Sequence, residues 1–307
     1  MRYRAEMPAT RPPTRERRNA IEDSRRWQRF EHRADDIFIS TPPKSGTTWT
    51  QGIVASLLWP DGDMPGNRAE RNPWIDARFI SEQQLLDRVG AISHRRYIKT
   101  HSPADCTPIH EDCSYVVVYR DGRDALMSWA NHRRAMRPEA IDHLNSTAAA
   151  DGIDPMPREW SGDMDELFDE WVGFGSSVEH LASWWPLRHE PFVCFVHYND
   201  LKADLHGEMR RLAEFLGVDV ADEHWPAVVE RCGLEQMRDN PDNADFDFAF
   251  EGGATSFFFQ GTNGRWRDVL TPAQLERYDA LVAEGLTGDA ARWLEHGSLA
   301  AGRPGPR

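Results

Sequence analysis

Residues 40–58 read "STPPKSGTTWTQGIVASLL", and the fold turns on how they are read. The stretch follows the apolar run Ile37-Phe38-Ile39, and beyond Gly46 it carries a helical pattern with Ile53, Val54, Leu57 and Leu58 as candidate core positions. The order is strand, loop, helix. In that order the loop's backbone N–H groups and the positive end of the helix dipole converge on one point, which makes an anion site, most often for phosphate.

Outward from this unit, short β-rich runs alternate with helical patterns. Strands are expected at Ile37 to Ser40, Arg96 to Lys99, in "SYVVVYR" from Ser114 and in "FVCFVHY" from Phe192; helices are expected at Thr47 to Trp59, Arg123 to Met136, Glu166 to Leu187 and His206 to Leu216. The alternation implies an α/β fold, a P-loop-like parallel β-sheet flanked by helices on both faces, in a single domain. Residues 1–30 mix Arg, Pro and acids without apolar periodicity and read as a loose arm; residues 31–297 form the domain, and 298–307, ending "GRPGPR", a frayed tail. Three stretches break the rhythm: Pro60 to Ala77, Pro138 to Asp163 and Asp239 to Ala254. Ligands of open α/β sheets bind outside the carboxyl ends of the strands, so these long loops are the expected walls of a pocket.

Composition narrows the partners. The net charge of −14 leaves no basic footprint for nucleic acid or an anionic membrane surface, so any anion site must be local. No apolar run approaches the ~20 residues of a spanning helix, and the Arg-rich start lacks a signal peptide's apolar core, so a cytoplasmic protein is expected. Cys106, Cys113, Cys194 and Cys232 show no CxxC spacing and read as reduced buried thiols, with neither zinc site nor disulfides.

A nucleotide P-loop places Lys directly after the last Gly of G-x-x-x-x-G-K-[ST]. Here Lys44 precedes Gly46 by two residues, and "VVVYRD" puts Arg120 where a magnesium-binding Asp would begin, so a P-loop kinase is opposed on spacing. "TPPKSGTTWTQ" instead resembles the phosphosulfate loop of the cytosolic-type sulfotransferases, T-x-P-K-[SA]-G-T-T-W. "YIKTHSP" is similar to that family's K-T-H-[LF]-P, "YVVVYRDGRDALMSW" to its 3′-phosphate strand and helix, "GSSVEHLASWW" to G-S-x-x-x-H-x-x-x-W-W, "FVHYNDLKAD" to the Y-E-D-L-K segment, and "FFFQGTNGRWRDVLT" to R-K-G-x-x-G-x-W-[KR]-x-x-[FL]-T. The resemblance runs from about Ile37 to Leu281.

What the resemblance implies is sulfuryl transfer from 3′-phosphoadenosine 5′-phosphosulfate (PAPS) to a hydroxyl or amine of a small-molecule acceptor, without a metal. It implies Lys44, Ser45, Gly46, Thr47 and Thr48 at the 5′-phosphosulfate, Lys99 at the sulfuryl oxygens and His101 as general base. His101 is also the residue type whose ordinary pKa suits that role. Trp49 and Tyr198 would hold the adenine, Arg120 and Ser128 the 3′-phosphate, with Gln260 and Gly261 beside them. The pattern is broken where the family has Arg-Lys-Gly and this chain has Phe259-Gln260-Gly261, so two cations are missing. Arg265 or Arg267 is the expected replacement. Cys232 and Leu234 also stand where a Thr and a stacking Phe are usual. A non-catalytic scaffold descended from such an enzyme is the second alternative, supported only by the Phe259-Gln260 departure.

Trp171, Trp184 and Trp185 lie in a helical pattern and read as core; Trp160, Phe168 and Phe246 to Phe250 read as pocket candidates. His132 is balanced between pocket and exposed helix surface. "RDVLTPAQLE" resembles the family's dimerisation segment, with Arg for Lys and Pro272 for Val, and carries the expectation of a homodimer. The acceptor's identity is not written in the sequence.

Overall fold

A computed structural model of the chain describes residues 11–243 and 246–305. Four parallel strands, β1 (Ile37–Ser40), β2 (Tyr97–Thr100), β3 (Ser114–Tyr119) and β4 (Val193–His197), lie in the order β2-β1-β3-β4. β1 pairs with β2 in the register Ile37 to Tyr97 and with β3 in the register Ile37 to Ser114. The chain leaves β1 toward β2 and returns past it to β3, so the topological switch point falls at the carboxyl ends of β1 and β3. That is where an open α/β sheet binds its ligand.

The sheet is buried on both faces, which is why its strands are continuous apolar runs. On one face Phe38, Ile98, Tyr115, Val117 and Tyr119 pack with Trp184 and Trp293. On the other, Ile37, Ile39, Val116 and Val118 meet Ile53, Val54 and Leu57 of helix α1 (Thr47–Leu58). The expected single-domain α/β fold is therefore what the chain adopts.

Several local expectations need correction. Glu166 to Leu187 is not one helix: Met164–Gly173 and Ser177–Trp184 are separated at Gly175, whose φ of 103° no helix interior adopts, and Ser176 caps the second helix on Glu179 N–H. The stretch from Pro138 is not irregular either. Pro138 opens the 13-residue helix Pro138–Ala150, because proline's missing N–H costs nothing in a first turn.

The arm is packed from Arg11 onward, leaving residues 1–10 outside the described residues. Arg11 pairs with Ile109, Glu22 with Ala77, and Trp27 is 4% exposed against Phe38. Its arginines are tied down by ion pairs such as Arg17 Nη1 to Glu179 at 2.6 Å. The tail is docked as well, with Asp200 capping the Ser298 N–H at 2.9 Å. All four cysteines are buried and unbridged.

Candidate active site

The loop after β1 is shaped by two left-handed residues, Lys44 at φ 68° and Gly46 at φ 105°. A Cβ at Gly46 would lie 3.2 Å from the Tyr198 ring, so both the turn and the close approach demand glycine. Gly46 is also the N-cap of α1 and supplies no side-chain cap, which leaves the helix's leading N–H groups directed at the loop. Ser45 Oγ is buried and has no hydrogen-bond partner among the described residues. Thr47 Oγ1 lies 2.5 Å from Thr41 Oγ1, and Thr48 lines the cavity. Trp49 is fixed by donation from Nε1 to the Cys232 carbonyl at 2.8 Å and meets Tyr198 edge-on at 5.1 Å.

His101 directly follows β2. Its Nδ1 sits 2.6 Å from the Thr41 carbonyl, which can only accept, so Nδ1 carries the proton and Nε2 is the acceptor. Burial, with Lys99 nearby, pushes the imidazole well below the ordinary histidine pKa and keeps it neutral. Trp74 aligns both groups, with Lys99 Nζ 3.7 Å from its ring centroid and the His101 ring 4.8 Å away, edge-on. Below them Asp76 Oδ2 accepts from Thr100 Oγ1 at 2.5 Å, Ser102 Oγ at 2.6 Å and Ser102 N–H at 3.1 Å, fixing the turn that carries His101. A second brace runs from Tyr119 O–H to His180 Nδ1 at 2.8 Å, then from His180 Nε2 to Ser40 Oγ at 3.0 Å.

At the other side of the loop, Arg120 donates to the Thr262 carbonyl and to Asn263 Oδ1, both at 2.8 Å, and lies 4.4 Å from the Tyr198 ring centroid. Ser128, Gln260, Gly261 and Arg265 line the same cavity. The Gly261 carbonyl accepts from Lys202 Nζ at 2.7 Å and from Tyr198 O–H at 3.4 Å. Arg265 is shifted below its ordinary pKa by burial and by Arg120, as befits a cation held beside another cation. With the Asn131 amide oxygen turned toward it, Arg265 donates at 2.7 and 2.9 Å. Of the two replacement arginines, Arg265 lines the cavity, whereas Arg267 stacks over Trp266 at 4.6 Å.

One cavity of about 910 Å³ thus brings together Lys44, Thr47, Trp49, Lys99, His101, Arg120, Ser128 and Tyr198. Trp74, Phe79, Leu144, Phe246, Phe250 and Phe257 give the same cavity a largely apolar wall. Of the pocket candidates, Phe246, Phe248 and Phe250 line it; Trp160 borders a separate groove, and Phe168 is core beneath Arg277. Trp171 and Trp184 are buried in the core. His132 lines the cavity, with Nδ1 3.1 Å from Lys44 Nζ. Thr41, Trp74, Asn131, Lys202 and Glu22 escaped sequence reasoning. The "Y-x-D-L-K" resemblance held a signal for Lys202, while Glu22 was hidden by the expectation that the arm is loose.

These features fit a nucleotide with phosphates at two separated positions. The orphaned Ser45 hydroxyl and the uncapped helix start offer donors at one, and Arg120 with Arg265 offer positive charge at the other. Residues 34–289 match the sulfotransferase domain, and the chain belongs to that family. It is a PAPS-dependent sulfotransferase, an α/β enzyme of sulfuryl transfer. The chain is 29% identical over 308 residues to a glycolipid sulfotransferase of Mycobacterium tuberculosis, covering 91% of this chain and 94% of that one. To human sulfotransferase 1C2 it is 27% identical over 271 residues, with 85% and 86% covered. Mouse sulfotransferase SULT7A1, solved with PAP, superposes with a TM-score of 0.65 at 21% identity, with 87% and 90% covered, a likeness of fold. No helix of the described residues is long and apolar enough to cross a membrane.

Proposed function

We propose that this sulfotransferase moves the sulfuryl group of PAPS onto a hydroxyl of a small, largely apolar acceptor, with His101 as general base. The observation that carries this reading is the 2.6 Å contact of His101 Nδ1 with the Thr41 carbonyl, which leaves Nε2 unprotonated within the cavity. His101 Nε2 takes the acceptor proton as the new oxygen–sulfur bond forms and the bond to the bridging phosphate oxygen breaks. Lys99 steadies the sulfuryl oxygens, and Lys44 follows the charge that develops on the leaving phosphate. Ser45, Gly46, Thr47 and Thr48 hold that phosphate through N–H and hydroxyl donors. Positioning and charge stabilisation supply most of the acceleration in such transfers.

Trp49 and Tyr198 flank the adenine, and Arg120, Ser128, Gln260, Gly261 and Arg265 take the 3′-phosphate. The aromatic side chains lining the cavity with His101 favour an apolar body on the acceptor. Glycolipid sulfotransferases among the relatives support an amphiphilic acceptor. The chemistry as written calls on no metal. Val269, 51% exposed within the stretch resembling a dimerisation segment, supports a homodimer, which light scattering of the purified protein checks.

The test is transfer of radiolabelled sulfuryl from PAPS to a panel of hydroxylated amphiphiles. Wild type is expected to label part of the panel and His101→Ala to label it roughly 10²–10⁴-fold more slowly, with the binding of 3′,5′-adenosine bisphosphate retained. Full activity in His101→Ala would remove the base assignment.

A further inference from the structure

Among the described residues lining the 910 Å³ cavity, Glu22 is the single carboxylate, set against seven lysines and arginines. It comes from the arm and is held by its backbone pairing with Ala77, next to the Asp76 that fixes the His101 turn. The residue is 2% exposed, and its Oε2 has no hydrogen-bond partner among the described residues. Arg17 Nε stands 3.7 Å from that oxygen, an ion contact too long for a hydrogen bond. Burial, then Asp76, raises the Glu22 pKa to about 8, so at neutral pH it is mainly a carboxylic acid able both to donate and to accept.

A buried polar group without a partner is costly, and a ligand that offers one recovers that cost on binding. The cations around the cavity oppose an ammonium there and favour a neutral group. We propose that Glu22 is a specificity-determining residue which hydrogen-bonds a second, non-reacting hydroxyl of the acceptor, so that the substrate class is diols and polyols on an apolar body. The proposal rests on reading this cavity as the acceptor chamber. A site built to hydrogen-bond a hydroxyl rejects the analogue lacking it far more strongly than an apolar wall rejects a missing methylene.

The experiment is calorimetric binding to the full chain saturated with 3′,5′-adenosine bisphosphate. The probes are straight-chain diols of increasing hydroxyl separation, their matching mono-alcohols, and the matching amino-alcohols. Binding is read without turnover, so a wrong assignment of His101 leaves the result intact. In wild type the diol should bind at least about tenfold more tightly than its mono-alcohol at one best separation, after allowance for its two equivalent ends. Glu22→Met should bring that ratio to about one, and Glu22→Gln, which still donates and accepts, should keep most of it. Glu22→Asp, one methylene shorter, should move the best separation to a longer diol, a shift that holds even if the Met variant does not fold. The proposal is overturned if the wild-type ratio is near one throughout, if neither alcohol binds, if Glu22→Met keeps the preference, or if the amino-alcohol binds more tightly than the diol.

Discussion

Lys44 Nζ lies 3.1 Å from His132 Nδ1, and the ammonium position is 4.1 Å from the centroid of the Phe257 ring. Burial, with Lys99 and Arg120 nearby, lowers the Lys44 pKa to about 7, and His132 is pushed well below the ordinary histidine value by burial and Lys44. His132 is therefore the neutral acceptor of the pair. Binding of an anionic nucleotide favours charged Lys44, which is already protonated below about pH 7 and must take up a proton above it. Affinity for 3′,5′-adenosine bisphosphate should be level below pH 7 and fall by up to about tenfold per unit above it. Calorimetry in buffers of different ionisation heat checks the accompanying proton uptake, and Lys44→Met should flatten the profile.

The same pH scale separates the base from the loop lysine. Since His101, the proposed base, is held well below the ordinary histidine value, it stays unprotonated on the acid side of neutrality. The acid limb of kcat/KM should lie well below pH 6.5, while the alkaline fall near pH 7 belongs to Lys44. His101→Ala should lower transfer by roughly 10²–10⁴-fold. An acid limb centred on the ordinary histidine pKa would show that the imidazole is not desolvated as described.

On the proposed reading Arg265, which lines the cavity, replaces cations that the Phe259-Gln260 pair does not supply. Arg265→Ala should weaken the bisphosphate by about ten- to a hundredfold, one charge-assisted hydrogen bond or slightly more, and leave 5′-AMP unaffected because it lacks the 3′-phosphate. Arg267, stacked on Trp266, should be nearly silent in the same titration when changed to Ala. Equal losses for both nucleotides would mean that Arg265 acts through the fold.

Gly46→Ala combines a left-handed φ of 105° with a Cβ 3.2 Å from Tyr198. A non-glycine there costs on the order of 1–3 kcal/mol, and the Tyr198 ring must shift as well. Nucleotide binding should be lost while the circular dichroism of the sheet and helices is kept, because the loop lies outside the core.

The sheet and its ligand edge were legible in the sequence for a physical reason. β1 and β3 are buried on both faces, so their apolar runs carry no competing period, and the loop's glycine and lysine mark the proposed anion site directly. The errors were local. Helix Met164–Gly173 merged with its successor because Gly175 is a single residue inside a good apolar pattern, and the Pro138 helix was hidden behind a proline that starts rather than breaks it. Glu22 and Arg17 were invisible because a charged arm has no periodicity. Its fixed position comes from pairing with Ala77 and from ion pairs more than a hundred residues distant, which no local window contains.

The central claim is that the cavity is a PAPS site, and the thermal stability of the purified protein tests it most directly. A ligand that binds only the folded chain raises its stability by RT ln(1 + [L]/Kd), roughly 2.7 kcal/mol at about 100 Kd. The account predicts a rise in Tm with 3′,5′-adenosine bisphosphate and little or none with ADP plus magnesium at the same concentration. A shift with ADP and magnesium alone, or no shift with the bisphosphate, would contradict it.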